Sequence, residues 1–496
     1  MTLLYLILIP LLAGLAAWPA ARVAPRAARG LCLAASLAQL VIAAILWQNT
    51  PTTGQWIETL SLPWIPQLGI TFSLFLDGLS LLLILLTGLL GALAVLASWT
   101  AIRENVGFFH FNLMATLAGV TGVFLARDLI LFYVFWELML VPLYLLIRIW
   151  GGDRRVYAAT KFFLFTQAGG LLLLLGILAL AITHQRQTGT LTFDYLQLIG
   201  TALSPSQGVW LLLAFLAAFA VKLPALGLHP WLPDAHSQAP TAGSVVLAGL
   251  VLKAGGYGML RFLIPLFPQA FPTIAPAAMA LAVAGILYGA ALAFAQDDLK
   301  RLIASSSISH MGFVLLGVFA ANELALQGAV VVMIAHGLTT GTLFALAGAI
   351  DERLHTHHLD RLGGLWTDMP RMGGVTLFFV LAGLGLPGLA GFVGEFLVLL
   401  GAWQTSPVLA ALASAGLVLS VVYSLRLMQR VFLGPKVGEE TPRDLSAREW
   451  LMLSVMAAAT IWVGLWPQRV LDASAPAVQN MQKSLSDAAG APEARP

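Results

Sequence analysis

Residues 211–236 read LLLAFLAAFAVKLPALGLHPWLPDAH. The run is apolar from Leu211 to Val221, then meets Lys222, then Pro224, Gly227, Pro230 and Pro233. A proline has no backbone donor and interrupts a helical ladder. An apolar helix that ends on a lysine and then breaks is foreign to the core of a soluble domain. Unpaired backbone at membrane depth is tolerated only where protein or a wet cavity satisfies it.

The composition on either side agrees. Hydrophobic residues make up 59% of the 496, and the charged residues are 26 basic and 23 acidic, or 10%. A soluble chain carries roughly 25% charged residues, so this one is expected to face lipid. A spanning helix takes about 20 apolar residues. Apolar blocks lie at about 3–20, 31–48, 78–98, 109–126, 129–147, 162–182, 209–226, 243–265, 274–295, 303–320, 326–350, 373–404, 409–429 and 449–467. They predict an all-α polytopic membrane protein of about 14 transmembrane helices. The runs are continuous rather than alternating, which excludes a β-barrel.

Basic residues test the count. One set of alternate connections holds 18 of the 26 and the other, with the tail, holds six; Lys222 and Lys253 remain inside apolar blocks. Positive residues favour the inner side, so both termini are expected outside. No basic residue precedes the first apolar block, which reads as an uncleaved helix. The polar tail from Asp472 reads as a short surface helix with a disordered end. A net charge of +3 scattered through short loops suggests no nucleic acid. The single cysteine, Cys32, excludes a disulfide or thiolate cluster within the chain. His355, His357 and His358 lie in a polar loop with few carboxylates beside them in sequence, so no metal site is expected.

Ionisable residues at bilayer depth are functional candidates by default. Glu137, Lys222, Lys253 and Glu395 stand in the fifth, seventh, eighth and twelfth blocks, and His310 and His336 in the tenth and eleventh. Structural ion pairs would explain one Glu–Lys couple. A longer succession of such groups fits a proton path better, because a buried lysine can exchange its proton as a neighbouring carboxylate changes. Histidines can join such a relay near neutral pH.

The twelfth block is also broken, with Gly385, Pro387, Gly388, Gly391 and Gly394 before Glu395. Paired broken helices are the mark of inverted-repeat transporters. Glu137 to Lys222 and His310 to Glu395 both span 85 residues, and adding 173 to Lys253 reaches Arg426. This spacing predicts two inverted five-helix repeats, helices 4–8 and 9–13, with helices 7 and 12 broken. The expected organisation is 1–107 (helices 1–3), 108–267 (first repeat, input half-channel), 268–432 (second repeat, output half-channel) and 433–496 (last helix and tail).

FWELMLVP, KLPALGLHPWLPDAHSQAPTAGSVVLAGLVLK, DDLKRLIASSSISHMGF and GLPGLAGFVGEF resemble the antiporter-like subunits of respiratory complex I, along nearly the whole chain. The resemblance implies a proton-translocating subunit of the bacterial inner membrane. In it Glu137 pairs with Lys222, Lys253 with His310 and His336 links the two halves, and Glu395 ends the output path. His229, in the first break, is a further relay candidate. The resemblance also implies L-type and N-type membrane-arm neighbours. FMN, iron–sulfur clusters and quinone would belong to other subunits, since no nucleotide or cluster motif is found here. An Mrp-type sodium/proton antiporter or membrane-bound hydrogenase subunit is the alternative.

Overall fold

A computed structural model of the protein describes residues 1–48, 56–437 and 441–490. The crossing helices are α1 (Thr2–Val23), α2 (Pro25–Gln48), α3 (Gly78–Ala97), α4 (Val106–Leu125), α5 (Leu129–Trp150), α6 (Arg155–Thr188) and α7 (Pro205–Lys222, resumed at Trp231–Gln238). They continue with α8 (Thr241–Leu266), α9 (Phe271–Phe294), α10 (Leu299–Ala320), α11 (Glu323–Leu354), α12 (Pro370–Gly383, resumed at Ala390–Thr405), α13 (Pro407–Leu433) and α14 (Ala447–Leu465). Among the described residues thirteen helices are long and apolar enough to cross a membrane. The two shorter pieces of α12 together supply a fourteenth crossing, the number expected.

Helix starts follow local chemistry. Asp77, Asp128, Asp298 and Asn322 each accept a backbone N–H of the first turn of α3, α5, α10 and α11. Ser204 and Ser446 form capping boxes with Gln207 and Glu449. Several irregularities lie beyond the expectation. Pro142 offers no N–H to the carbonyl of Leu138, and α5 kinks at Met139. α8 contains π-helical turns at Leu247–Val251 and Met259–Leu263. A two-stranded antiparallel hairpin, β1 (Glu58–Ile65) and β2 (Ile70–Leu76), interrupts the all-α pattern. It turns at Gly69, whose φ of 66° suits a residue without a Cβ.

The bundle is layered. The most apolar stretches of α8 and α11 are fully buried, whereas no more than 33% of those of α2, α13 and α14 is buried, as in lipid-facing helices. α9 lies along α10, α1 along α4, and α11 along the second piece of α12. Small residues permit the last contact: a methyl on Gly394 would stand 2.6 Å from the Val332 backbone nitrogen, and one on Gly328 would stand 2.6 Å from that of Val398. After α14 the chain forms α15 (Gln468–Gly490), which lies across α3, α8 and α11 and buries Val470, Ala477, Val478 and Met481. This is longer than the short surface helix expected, and the last residues, 491–496, lie outside those described.

Candidate functional site

Lys222 is the last residue of the first piece of α7 and is 2% exposed. Its Nζ donates to the Trp136 carbonyl at 3.3 Å and stands 3.9 Å above the Trp136 ring. Glu137 follows Trp136 at the kink of α5 and is half-buried, with Tyr133 and Gln167 beside it. Gly170 of α6 lies under its carboxylate, and a methyl there would collide with Oε1. No oxygen of Glu137 comes within 4.0 Å of Lys222 Nζ. The two charges share one pocket without contact, with the Trp136 ring and carbonyl holding the lysine instead.

The central groups touch one another. Lys253 is 0% exposed, and its Nζ lies 2.6 Å from the Ala248 carbonyl and 2.6 Å from His336 Nδ1. The π-turn explains the first bond. The N–H of Leu252 reaches back to the Leu247 oxygen, which leaves the Ala248 carbonyl turned to the side chain. His336 and His310 have ring centroids 5.6 Å apart. His310 Nδ1 is 2.8 Å from Glu395 Oε1, and its Nε2 is 3.3 Å from the Tyr423 hydroxyl. The sequence Lys253, His336, His310, Glu395 is therefore a contiguous buried line through α8, α11, α10 and α12. Glu137 Oε1, His336 Nε2 and Glu395 Oε2 along these groups have no protein partner.

Three participants are absent from the sequence reading. Trp136 and Tyr423 hold Lys222 and His310, and nothing in their local sequence separates them from packing aromatics. His236 is 0% exposed, stacks on Phe344 at 4.4 Å, and has no hydrogen-bond partner at either nitrogen. Its place in the second piece of α7, within the stretch PDAH, was the available signal.

His229 lies apart from the line. Its Nδ1 accepts the Gly227 N–H at 3.3 Å, and its ring meets Tyr288 at 5.3 Å. It serves the loop of the break. Arg426 likewise does not mirror Lys253: it is half-buried and paired with the exposed Asp297 at 2.8 Å. The breaks also part from the 173-residue offset. The first pieces of α7 and α12 end at Lys222 and Gly383, 161 residues apart, so Lys222 precedes its break and Glu395 follows its own.

The end of the bundle opposite the termini carries a polar network. Asp234 binds Lys161 at 2.6 Å and Arg301 at 2.7 Å, and Asp351 binds Lys300 at 2.8 Å. A cavity of 250 Å³ opens there, lined by Trp150, Ser237, Gln238, Lys300, Asp351 and His357. Ser237 and Gln238 follow His236 directly, so the cavity and the buried imidazole share one helical turn.

Residues 126–421 match the family described as NADH:quinone oxidoreductase/Mrp antiporter, TM. The NADH-quinone oxidoreductase subunit M of Pseudomonas aeruginosa is 48% identical, over 98% of this chain and 99% of that protein. A chain of respiratory complex I from Thermus thermophilus is 32% identical with a TM-score of 0.87, over 98% of this chain and all of that one. A chain of the Mrp complex from Dietzia sp. DQ12-45-1b is 26% identical with a TM-score of 0.84, but this chain covers 52% of it. The fold, the matched family and the near full-length identity agree: the chain belongs to the NADH:quinone oxidoreductase/Mrp antiporter family, in its subunit M branch.

Proposed function

We propose that the chain is a proton-translocating subunit of the membrane arm of an NADH:quinone oxidoreductase. It couples electron transfer in other subunits to proton movement through its own buried groups. The observation that carries this reading is the line Lys253–His336–His310–Glu395, in which proton-exchanging groups replace one another at hydrogen-bond or ring-contact distance. A structural brace would pair the buried lysine with a carboxylate. Lys253 instead meets a backbone carbonyl and an imidazole, and with the imidazole it can exchange a proton.

In this reading the termini lie on the outer side and the polar end faces inward. Protons enter through the 250 Å³ cavity and move towards the line by way of His236, which directly precedes the cavity-lining Ser237. Lys222 and Glu137 form the responsive pair. Their separation changes how firmly Lys222 holds its proton. Moving unit charges from about 4 to about 8 Å apart at an effective permittivity near 20 changes their energy by about 2 kcal/mol, or about thirtyfold in proton occupancy. Glu137 is half-buried, which suits it to sense a neighbouring subunit. FMN, iron–sulfur clusters and quinone belong to other subunits in this scheme, and L-type and N-type subunits flank the chain.

The test is His336→Phe in the assembled complex, since a ring of similar size keeps the packing and cannot carry a proton. NADH oxidation with an artificial acceptor is expected to be unchanged, while quinone-linked proton pumping falls at least tenfold. Normal pumping in an assembled His336→Phe complex overturns the relay.

A further inference from the structure

We propose that Asp298, His357 and His358 form a binding site for a divalent metal ion of the zinc class, at the rim of the polar-end cavity. One ligand atom from each lies within 4.8 Å of the other two. His357 Nε2 already stands 3.1 Å from Asp298 Oδ2. Zinc binds imidazole nitrogen and carboxylate oxygen at about 2.0–2.2 Å in tetrahedral geometry, which sets such ligands roughly 3.3–3.5 Å apart. The pair therefore needs to open by only a few tenths of an ångström. The metal takes the place of the proton between them, which leaves to solvent.

The sequence hides this site because its carboxylate comes from another loop. Asp298 precedes α10, whereas the two histidines follow α11. The backbone brings them together. Asp298 and His358 form an antiparallel bridge, the Leu299 N–H donates to the His357 carbonyl at 2.8 Å, and the Leu359 N–H donates to the Asp297 carbonyl at 2.9 Å. The ligands are held before any metal arrives. Asp298 Oδ1 accepts the Arg301 N–H at 2.9 Å, and the Ser237 hydroxyl donates to Oδ2 at 3.3 Å. The remaining nitrogen of His357, Nδ1, faces Asp351 Oδ1 at 3.6 Å, and Lys300 fixes that carboxylate at 2.8 Å. A carboxylate behind a ligating imidazole is the usual second support of a zinc site. Two imidazoles and one carboxylate select zinc, nickel or copper over magnesium or calcium, which prefer all-oxygen sites. His358 is exposed, so further coordination positions are open to water.

The experiment titrates the purified complex, stripped by chelator, with Zn²⁺ alone and counts bound ions by calorimetry. The unaltered complex is expected to bind one more zinc per particle than the His358→Ala complex. His355→Ala, in the same loop but outside the cluster, is expected to bind the same number as the unaltered complex. His358 is exposed and lies beyond the spanning helices, and the size of the purified particle verifies assembly of each variant. Equal stoichiometry in the unaltered and His358→Ala complexes overturns the site. Loss of the same zinc in His355→Ala also overturns it, because adventitious binding by a histidine-bearing loop then suffices.

Discussion

Replacing Lys253 by methionine separates the two roles that a buried charge can have. The side chains are similar in length, so Lys253→Met removes the ammonium and leaves the packing of α8 nearly intact. Two hydrogen bonds disappear, to the Ala248 carbonyl and to His336 Nδ1. Charge-assisted bonds contribute about 1.5–3 kcal/mol each, so the loss is roughly 3–6 kcal/mol. Against it stands the desolvation penalty of a fully buried ammonium, which is several kcal/mol even after relaxation. The terms nearly cancel. The expected change in stability is within about 2 kcal/mol of zero, in line with other replacements of buried charges by apolar groups. Function should not cancel. Without Lys253 the line loses the group that meets His336, and quinone-linked pumping is expected to fall at least tenfold. The assay is paired: thermal denaturation of the purified complex, and proton uptake by vesicles that contain it. A complex that melts far below the parent, or fails to assemble, makes Lys253 a brace. An intact complex that pumps normally makes it a bystander. Either result refutes the reasoning.

Other substitutions probe the supports. Gly170→Ala places a methyl against Glu137 Oε1 and is expected to lower pumping several-fold in an assembled complex, with Gly170→Ser no better; vesicle proton uptake measures both. Glu395→Gln keeps the shape but weakens the bond to His310, and pumping should fall at least tenfold while particle size is unchanged. Gly78→Ala meets the backbone of Ala473 in α15, and overpacking of this kind lowers stability by about 1–3 kcal/mol, read as an earlier thermal transition. Gly374→Ala, in α12 with open space around it, is expected to stabilise by about 0.5–1 kcal/mol through helix propensity, read by the same melt.

Some of this was legible in the chain and some was not, for physical reasons. Hydropathy and the loop positives are local signals averaged over many residues, so the crossings were readable, and the prolines and glycines of α7 and α12 marked the breaks. Glu137, Lys222, Lys253 and Glu395 were visible because an ionisable residue in an apolar run is conspicuous. Contacts between helices were not visible. Nothing local tells that Lys222 rests on Trp136 while Glu137 stays out of contact, or that Tyr423 finishes the coordination of His310. The numerical offset of 173 matched residue types but not breaks, because helices pack by their breaks and surfaces rather than by residue count. His229 and His236 belong to the same broken helix, yet the first holds the loop of the break and the second is buried against Phe344. The hairpin β1–β2 was hidden in an exposed connection whose alternation is short. The carboxylate beside His357 was missed because it arrives from a loop some sixty residues earlier.

The engagement of His310 at both ring nitrogens limits how the line can run. A neutral imidazole carries one N–H. When that hydrogen faces Glu395, the other nitrogen accepts from Tyr423; when it faces Tyr423, the nitrogen towards Glu395 is bare. In the proposed relay, passing a proton through the ring therefore switches its tautomer, and a second proton cannot follow in the same direction until the ring hydrogen has been turned back. In that proposed relay the ring is a ratchet that must be rewound by the partner subunits, and between such resets leakage down an established gradient stalls at His310.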